Sequence, residues 1–256
     1  MDLMKGSTSF LFDKCEAPSQ RLIAIPLPFA AHPISMLVPG DPQDRSRHTD
    51  SVHGVYWAAL WPAALALADA LLAGEIELPR PSNGMPEILE LGCGLGLVTL
   101  AAALAGGPEG LVLATDIEPP ALALARENAA RHSASERIKT RVLDWRLGCA
   151  EKFKLILAAD CLYDPESSVE LARFLSQALS AQPGAKAIVA DPDRYNARNF
   201  HYIVREAGLN VRMFKRAVPF VKVLGPLTAE TEVAAGTIAV DVNFYEISRD
   251  ADADSK

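Results

Sequence analysis

The chain contains few cysteines, and their spacing argues against a disulfide framework and against a cysteine-based zinc site. Its 256 residues include four cysteines, Cys15, Cys93, Cys149 and Cys161, and no two of them form a C-x-x-C pair. Disulfide frameworks and cysteine-based zinc sites usually need such closely spaced cysteines. We therefore expect no structural metal. Cys93 and Cys161 stand beside apolar residues and are predicted to be small buried core residues.

Basic residues are outnumbered, and they are nowhere clustered. Lys and Arg total 25 against 32 Asp and Glu, which gives a net charge of −7, and the sequence contains no basic run. Non-specific binding to nucleic acid needs several Lys or Arg side chains against phosphates, so a nucleic-acid partner is not expected. A basic protein partner is electrostatically easier to attract.

Long hydrophobic runs are also missing, although half of the residues are hydrophobic. No apolar stretch approaches the roughly 20 residues that a membrane-spanning helix needs. The apolar run at Phe10–Phe12 lies between charged residues and is too short for the core of a signal peptide. The sequence therefore predicts a cytoplasmic protein without a membrane partner, and we expect it to be a monomer.

Chain length and proline content predict one domain behind an N-terminal extension. A chain of this size and composition can bury one large core. Residues 1–50 contain two short strand-like runs broken by prolines, and we interpret them as a cap with short edge strands. Residues 51–249 are predicted to form the main domain, and the polar residues 250–256 to form a disordered tail.

Strand and helix patterns alternate regularly in the main domain, after a first helix at 63–73. Two long strands, 210–221 and 236–248, end it without a clear helix between them. This pattern predicts an α/β fold with a doubly wound, mostly parallel, seven-stranded sheet and an antiparallel C-terminal hairpin. The other predicted strands lie near 87–91, 111–116, 138–144, 154–161 and 185–191. The helices among them are predicted near 97–105, 119–132, 165–181 and 197–207.

The most informative motif lies where the first strand of this sheet should end. Residues 87–97 read Glu-Ile-Leu-Glu-Leu-Gly-Cys-Gly-Leu-Gly-Leu, which predicts a buried strand, a turn and the start of a helix. Gly92, Gly94 and Gly96 leave the turn without Cβ obstruction. Asp116 closes the next strand, where a carboxylate can accept hydrogen bonds from ribose hydroxyls. The pattern predicts a nucleotide-binding turn.

Two local details distinguish the classes of cofactor that use such a turn. The third glycine of the dinucleotide fingerprint would fall at Leu97, so the spacing is G-x-G-x-G. Glu90, two residues before the first glycine, would repel a pyrophosphate and would suit a cationic ligand. S-adenosylmethionine carries an ammonium and a sulfonium. The segment from Glu90 to Gly96 resembles the first motif of the class I, seven-strand methyltransferases, which have a Rossmann-like fold.

The resemblance continues along the chain and becomes more specific. Asp160-Cys-Leu-Tyr163, after the fourth strand, resembles the Asp-x-x-Tyr signature of methyltransferase family 16, a set of mostly protein-lysine methyltransferases. The segments Tyr56–Pro62 and Ala190–Arg194 are similar to two segments of one branch of that family, which is related to the electron-transfer-flavoprotein β-subunit lysine methyltransferase. Two departures from that branch matter: Ala63 stands where a glycine often follows Trp-Pro, and Pro192-Asp-Arg replaces Pro-Gly-Arg, so the branch's particular substrate is not carried over.

The resemblance implies a role for each motif residue. Asp160 and Tyr163 are implied to be catalytic, Asp160 by positioning the acceptor nitrogen. Asp144 is implied to contact the adenine amine, and Trp145 to stack on the adenine ring. The complete set of implied cofactor-binding residues is Trp61, Glu90, Gly92, Gly94, Gly96, Asp116, Ile117, Asp144 and Trp145.

Each of these side chains also has a purely structural interpretation. Asp144 is compatible with an ordinary turn, and Asp160 with a helix cap. Trp57 and Trp61 are compatible with core packing, and their i, i+4 spacing places them on one face if a helix begins there. His53, His132 and His201 are alternative bases in the sequence. We expect each of the three histidines to be solvated or packed.

The reaction implied by the resemblance is direct in-line transfer of a methyl group from S-adenosyl-L-methionine to a lysine side chain of a protein. Such an enzyme needs alignment more than covalent machinery, so the lack of a nucleophile and base pair in the sequence is expected. Three alternatives remain open. They are a small-molecule N- or O-methyltransferase on the same fold, a cofactor-binding protein without catalysis, and an NAD-dependent oxidoreductase.

Overall fold

The computed structural model describes residues 20–25, 27, 30, 33–39, 56–81, 84–221 and 237–249. These residues form a small N-terminal sheet and a large sheet with helices on its two faces. The predicted tail, residues 250–256, lies outside the described residues. Within the described part of the chain, the helices are too short or too polar to cross a membrane.

The small sheet consists of two antiparallel strands, β1 (Gln20–Ile25) and β2 (Ile34–Pro39). Ile34, Met36 and Val38 of β2 are buried, as expected for a strand with one face against a core. The two strands pair with each other and not with the large sheet. The described part of the predicted cap therefore contributes to the main hydrophobic core.

Seven strands form the large sheet, and they confirm the predicted architecture. They are β3 (Ile88–Leu91), β4 (Val112–Asp116), β5 (Ile138–Val142), β6 (Leu155–Ala159), β7 (Lys186–Asp191), β8 (Asn210–Val221) and β9 (Thr237–Ser248). Their order across the sheet is β5-β4-β3-β6-β7-β9-β8. Strands β3 to β7 are parallel, whereas β9 runs antiparallel to both β7 and β8.

Helices cover both faces of this sheet, so its central strands are buried on both sides. Strand β3 is buried along its whole length, as is typical of an apolar central strand in a parallel sheet. Strand order reverses between β3 and β6, and ligands bind outside the carboxyl ends of the strands at such a point. The helices are α1 (Pro62–Leu72), α2 (Leu97–Ala105), α3 (Pro119–Arg131), α4 (Pro165–Ala178) and α5 (Phe200–Glu206).

Three predicted elements end two or three residues earlier than the sequence pattern indicates, each for a local reason. Strand β5 stops at Val142 because Asp144 begins a short 3-10 turn. Strand β6 stops at Ala159 because Asp160 has a left-handed φ of 59°. Helix α4 stops at Ala178 because Leu179 is already extended. The first two breaks bring side chains to the edge of the sheet where ligands are expected.

Candidate active site

A cavity of about 410 Å³ lies at the carboxyl ends of β3, β4 and β6. Its volume is within the usual range for a small-molecule site. Its wall includes the segment before α1, the glycine-rich turn after β3 and the loop after β7. The predicted residues on this wall are Trp61, Glu90, Gly92, Gly94, Asp116, Ile117, Asp144, Trp145, Asp160 and Tyr163.

The glycine-rich turn has a shape that side chains would disturb. Gly94 has a φ of 50°, and a Cβ there would lie 3.0 Å from the carbonyl oxygen of Trp57. Gly96 has a φ of 83°, and a Cβ there would lie 2.8 Å from the Cβ of Ala125 on α3. Gly96 is not among the residues on the cavity wall. It allows close packing of two helices, whereas Gly94 contributes directly to the cavity.

Asp116 fixes the turn from the end of the neighbouring strand. Its carboxylate accepts hydrogen bonds from the backbone N–H of Gly94 at 2.8 Å and of Glu118 at 3.0 Å. Burial raises the pKa of Asp116, and these two hydrogen bonds oppose the rise. A carboxylate has about four acceptor positions, so oxygen lone pairs remain available for ribose hydroxyls. The ribose contact of Asp116 stays a prediction.

Glu90 lies beneath the turn on β3 and is only 2% exposed. Its carboxyl group accepts a hydrogen bond from the hydroxyl of Thr99 on α2. Burial raises the pKa of Glu90 to about 8. A cation placed beside this carboxyl would favour its ionised form and would lower that pKa. Glu90 is therefore a buried carboxyl on the cavity wall whose ionised form a positively charged ligand group would stabilise.

Asp144 and Trp145 line the same cavity at the end of β5. Asp144 begins the short turn, because its carboxylate accepts a hydrogen bond from the backbone N–H of Arg146 at 3.0 Å. The same carboxylate forms an ion pair with the Arg146 guanidinium at 2.7 Å. Asp144 thus has the turn role that the sequence left open, and it also faces the cavity. Its contact with adenine stays a prediction.

Asp160 is held by two groups from distant parts of the chain. One carboxylate oxygen accepts a hydrogen bond from the N–H of Ala63 in the first turn of α1 at 2.9 Å. The other forms an ion pair with the guanidinium of Arg194 at 2.6 Å. Burial raises the pKa of Asp160 to about 6, and the charge of Arg194 opposes this rise. Asp160 therefore both caps a helix and stands on the cavity wall.

Three aromatic side chains on the cavity wall lie close to one another. The ring centroid of Tyr56 lies 6.0 Å from that of Trp61 and 6.2 Å from that of Tyr163. The indole N–H of Trp61 donates a hydrogen bond to the carbonyl oxygen of Tyr56 at 2.9 Å. Tyr56 is 59% exposed and Tyr163 is 37% exposed. We call Tyr56, Trp61 and Tyr163 the aromatic mouth.

Sequence reasoning missed two residues of this site as functional candidates. Tyr56 and Arg194 both line the cavity, and neither was assigned a role. A signal was present, since both lie in the segments similar to family 16 methyltransferases. Tyr56 contacts Trp61 and Tyr163, and Arg194 contacts Asp160 and Trp61. Most of these partners are far apart in the sequence. Motif comparison alone does not show such contacts.

The histidines and cysteines have the surroundings that were expected where they are described. His132 contacts the carbonyl oxygen of Ser35 through Nε2 at 2.8 Å, and His201 packs against Tyr202. Cys93 and Cys161 are buried, which confirms that prediction. His53 and Cys15 lie outside the described residues. Among the described residues, no His, Cys, Asp and Glu side chains group in a way that could hold a metal ion.

Comparison with known families decides between the cofactor classes. A family model described as lysine methyltransferase matches residues 47–205, which contain the whole cavity wall. The chain belongs to this family. The family belongs to the class I methyltransferases, and its methyl donor is S-adenosylmethionine. The suspected membership in methyltransferase family 16 is thereby confirmed.

The relatives include two lysine methyltransferases and one glutamine methyltransferase. The chain is 33% identical over 140 residues to the electron transfer flavoprotein β-subunit lysine methyltransferase of Danio rerio, covering 54% of this chain and 50% of that protein. Its Xenopus laevis counterpart is 32% identical over 147 residues, covering 54% and 53%. A release factor glutamine methyltransferase from Cereibacter sphaeroides is 33% identical over 106 residues, covering 40% and 38%. The chain spans about half the length of the lysine methyltransferase relatives.

Solved structures confirm the fold. The ribosomal protein L11 methylase of Lactobacillus delbrueckii subsp. bulgaricus matches with a TM-score of 0.52 and 19% identity, covering 75% of this chain and 82% of that one. A precorrin 8W decarboxylase from Methanobacterium thermoautotrophicum matches with a TM-score of 0.51 and 17% identity, covering 74% and 92%. At these identities the similarity establishes the Rossmann-like class I fold alone.

Proposed function

We propose that this chain transfers a methyl group from S-adenosylmethionine to a lysine side chain of a protein substrate. The observation that carries the proposal is one cavity whose wall combines the glycine-rich turn with Asp160 and the aromatic mouth. The turn suits the methyl donor, and the mouth suits a cationic amine. Membership in the lysine methyltransferase family supports the same reaction.

Four acidic or aromatic side chains would hold the cofactor. Asp116 would accept hydrogen bonds from the ribose hydroxyls, and Glu90 would face the positively charged methionine end. Asp144 and Trp145 would contact the adenine, the first through its carboxylate and the second through its ring. The bound cofactor supplies an activated methyl group on a sulfonium. Gly92 and Gly94 line the same cavity, and a Cβ at either position would lie 3.2 Å from Cys161 Sγ or 3.0 Å from the Trp57 carbonyl oxygen, so this shape of the turn requires glycine.

The aromatic mouth and Asp160 would receive the acceptor lysine. Ring faces attract an ammonium, and the three rings would guide the lysine side chain inward. A free lysine has a pKa of about 10.4, so only about one amine in 2,500 is neutral at pH 7. The reacting nitrogen must first release a proton to solvent. Asp160 would then accept a hydrogen bond from the neutral amine and aim its lone pair at the methyl group.

A labelling experiment tests the proposal. The purified chain is incubated with radiolabelled S-adenosylmethionine and a cell lysate, and the products are separated by size. We expect label in a protein band with the wild type, and loss of that label with Asp160→Asn. Asp241→Asn makes the same chemical change at an exposed position on β9 and should retain the labelling. Label confined to small molecules, or no transfer at all, would refute the proposal.

A further inference from the structure

Arg194 occupies an unusual position between two strand ends. Its backbone N–H donates a hydrogen bond to Asp191 at 2.8 Å, and its guanidinium contacts the same carboxylate at 3.1 Å. That guanidinium also contacts Asp160 at 2.6 Å. Asp191 ends β7 and is completely buried, so it forms a fixed anchor. Arg194 therefore joins the end of β7 to the carboxylate that follows β6.

The same guanidinium reaches the aromatic mouth. Its central carbon lies 5.5 Å from the ring centroid of Trp61, within the distance of a cation–π contact. Arg194 also lines the cavity, and its side chain is 26% exposed. A cation is thus already present where an acceptor ammonium would approach Asp160. An arriving ammonium would meet a guanidinium–carboxylate pair and not an isolated carboxylate.

We propose that Arg194 is a positioning residue of the acceptor site, which keeps Asp160 ionised and correctly oriented while preventing it from trapping the acceptor as an ammonium. This inference rests on the proposed function, because it concerns how the lysine amine is received. It also answers a difficulty of that function. An isolated carboxylate would favour the protonated, unreactive form of the amine, whereas the added positive charge of Arg194 disfavours it.

The groups that face Asp160 determine whether its carboxyl group is charged or neutral. Arg194 contributes a positive charge and Asp191 a negative one, while the buried thiol of Cys161 is adjacent in sequence. Helix α1 contributes the backbone N–H of Ala63 and no charge at that contact. Burial raises the pKa of Asp160 and of Asp191, and Arg194 opposes both shifts. Removal of the guanidinium would raise the pKa of Asp160 and of the bound amine together.

Neutral and charged replacements of Arg194 test the assignment. Arg194→Gln removes the charge but keeps hydrogen-bond donors, Arg194→Met is a second neutral variant, and Arg194→Lys keeps the charge. Arg198→Met is the matched control, because Arg198 lies over the exposed ring of Tyr195 and not on the cavity wall. The pH profile of kcat/KM is measured for each variant. Titration of the Asp160 carboxyl is followed by carbon-13 NMR, with the signal assigned from Asp160→Asn.

In the Gln and Met variants we expect two midpoints to rise by about one pH unit or more, that of the kcat/KM profile and that of the Asp160 titration. Loss of a nearby opposite charge raises the pKa of a carboxyl group in this way. Arg194→Lys should stay closer to the wild type, and Arg198→Met should match it. Binding of S-adenosylhomocysteine should change less than twofold in all of them. A merely structural Arg194 would lower activity equally at every pH and leave the Asp160 midpoint in place, which would overturn the assignment.

The two proposals fail in different ways. A wild-type chain that labels no protein lysine refutes the proposed function, whatever the NMR titration gives. An Asp160 midpoint that is the same in the wild type and in Arg194→Gln refutes the role of Arg194, even where lysine methylation is found. If Arg194→Gln fails to fold, the titration of Arg194→Met replaces it, and that titration needs no catalytic turnover.

Discussion

Single residues at this site hold the fold together and form the cavity wall at the same time. Asp160 accepts a hydrogen bond from the N–H of Ala63 at the start of α1, where the helix dipole also favours a negative charge. Asp116 accepts a hydrogen bond from the N–H of Gly94 and so fixes the glycine-rich turn beside it. Substitutions at these two positions therefore affect both stability and ligand binding, and experiments have to measure the two separately.

Glu90 should make the stability of the ligand-free protein depend on pH. Its pKa in the folded state is about 8 against an ordinary value of 4.5, so the folded protein binds a proton that the unfolded chain releases between these values. The stabilisation is complete below about pH 4.5 and is lost as pH rises through about 8. Its total size is on the order of 4 to 5 kcal/mol, from about 1.36 kcal/mol per pKa unit.

Urea denaturation of the wild type and of Glu90→Gln between pH 5 and pH 8 measures this effect. The variant keeps a similar shape but cannot ionise, so the difference in unfolding free energy between the two proteins should change in favour of the variant as pH rises. A difference that is constant across this range would show that Glu90 is not protonated in the folded protein near neutral pH.

Asp116 should contribute to cofactor binding more than to the transfer step. Asp116→Ala removes the acceptor of the Gly94 N–H and of the ribose hydroxyls, so affinity for S-adenosylhomocysteine should fall by about 1–3 kcal/mol. Transfer should persist at saturating S-adenosylmethionine. Calorimetry and saturation kinetics measure the two effects. An unchanged dissociation constant, or a rate that stays low at saturation, would contradict this role.

The residues that the sequence identified belong to short motifs or to the ends of predicted strands. Glu90 and the three glycines form one motif, Asp116 ends the next strand, and ten of the eleven predicted residues line one cavity. The exception, Gly96, serves helix packing against Ala125, a contact 29 positions away. Arg194 could not be assigned a role because its contact with Asp160 spans 34 positions and is created by the pairing of β6 with β7.

At the scale of elements, local periodicity predicted most of the sheet and its helices. Helix α2 has the predicted bounds, and the antiparallel C-terminal hairpin was expected from two long strands without a helix between them. The attachment of β1 and β2 was not predicted. It combines burial of apolar side chains of β2 in the main core with polar contacts from α3, where the Asn128 side chain bonds both backbone groups of Leu37, 91 positions away. Polar contacts of this kind leave no periodic trace in a sequence.

Asn128 should couple the N-terminal strands to the cofactor turn. Besides its bonds with Leu37, its side-chain N–H donates to the carbonyl oxygen of Leu95 in the glycine-rich turn at 3.0 Å. Asn128→Ala would leave these buried backbone groups unpaired, so the free energy of unfolding should fall by about 1–3 kcal/mol. Affinity for S-adenosylhomocysteine should fall as well, because the turn loses one of its supports.

Asn199→Ala is the matched control for this experiment. Asn199 precedes α5, and its side chain makes no capping hydrogen bond there. The control should change the unfolding free energy by less than about 0.5 kcal/mol, as most surface substitutions do. Equal effects of the two alanine variants in thermal or urea denaturation would show that the Asn128 contacts contribute nothing specific.

At the scale of the whole molecule, charge and site chemistry both support the proposed acceptor. The chain has a net charge of −7, and Asp160 and the three rings of the aromatic mouth line its candidate site. An acidic protein attracts basic partners over distances comparable to the screening length. The fold class was predictable from the order of elements, whereas the substrate depends on surface complementarity that the sequence pattern does not contain.

Salt should therefore act on encounter more than on the reaction. Raising the ionic strength should increase KM for the protein substrate by a larger factor than it lowers kcat, because screening weakens long-range attraction and affects the enclosed site less. Steady-state kinetics from low to high sodium chloride, with cofactor saturating, give both parameters. A fall in kcat with an unchanged KM would contradict an electrostatically guided protein substrate.

The identity of the methylated atom tests the central claim most directly. A protein labelled by the wild-type chain is isolated, digested and sequenced by tandem mass spectrometry, with the Asp160→Asn reaction as the blank. We predict that the added methyl groups lie on the side-chain nitrogen of lysine. Methyl groups on arginine, on a glutamine amide as the name of one relative suggests, or on a nucleic-acid base would contradict the lysine assignment.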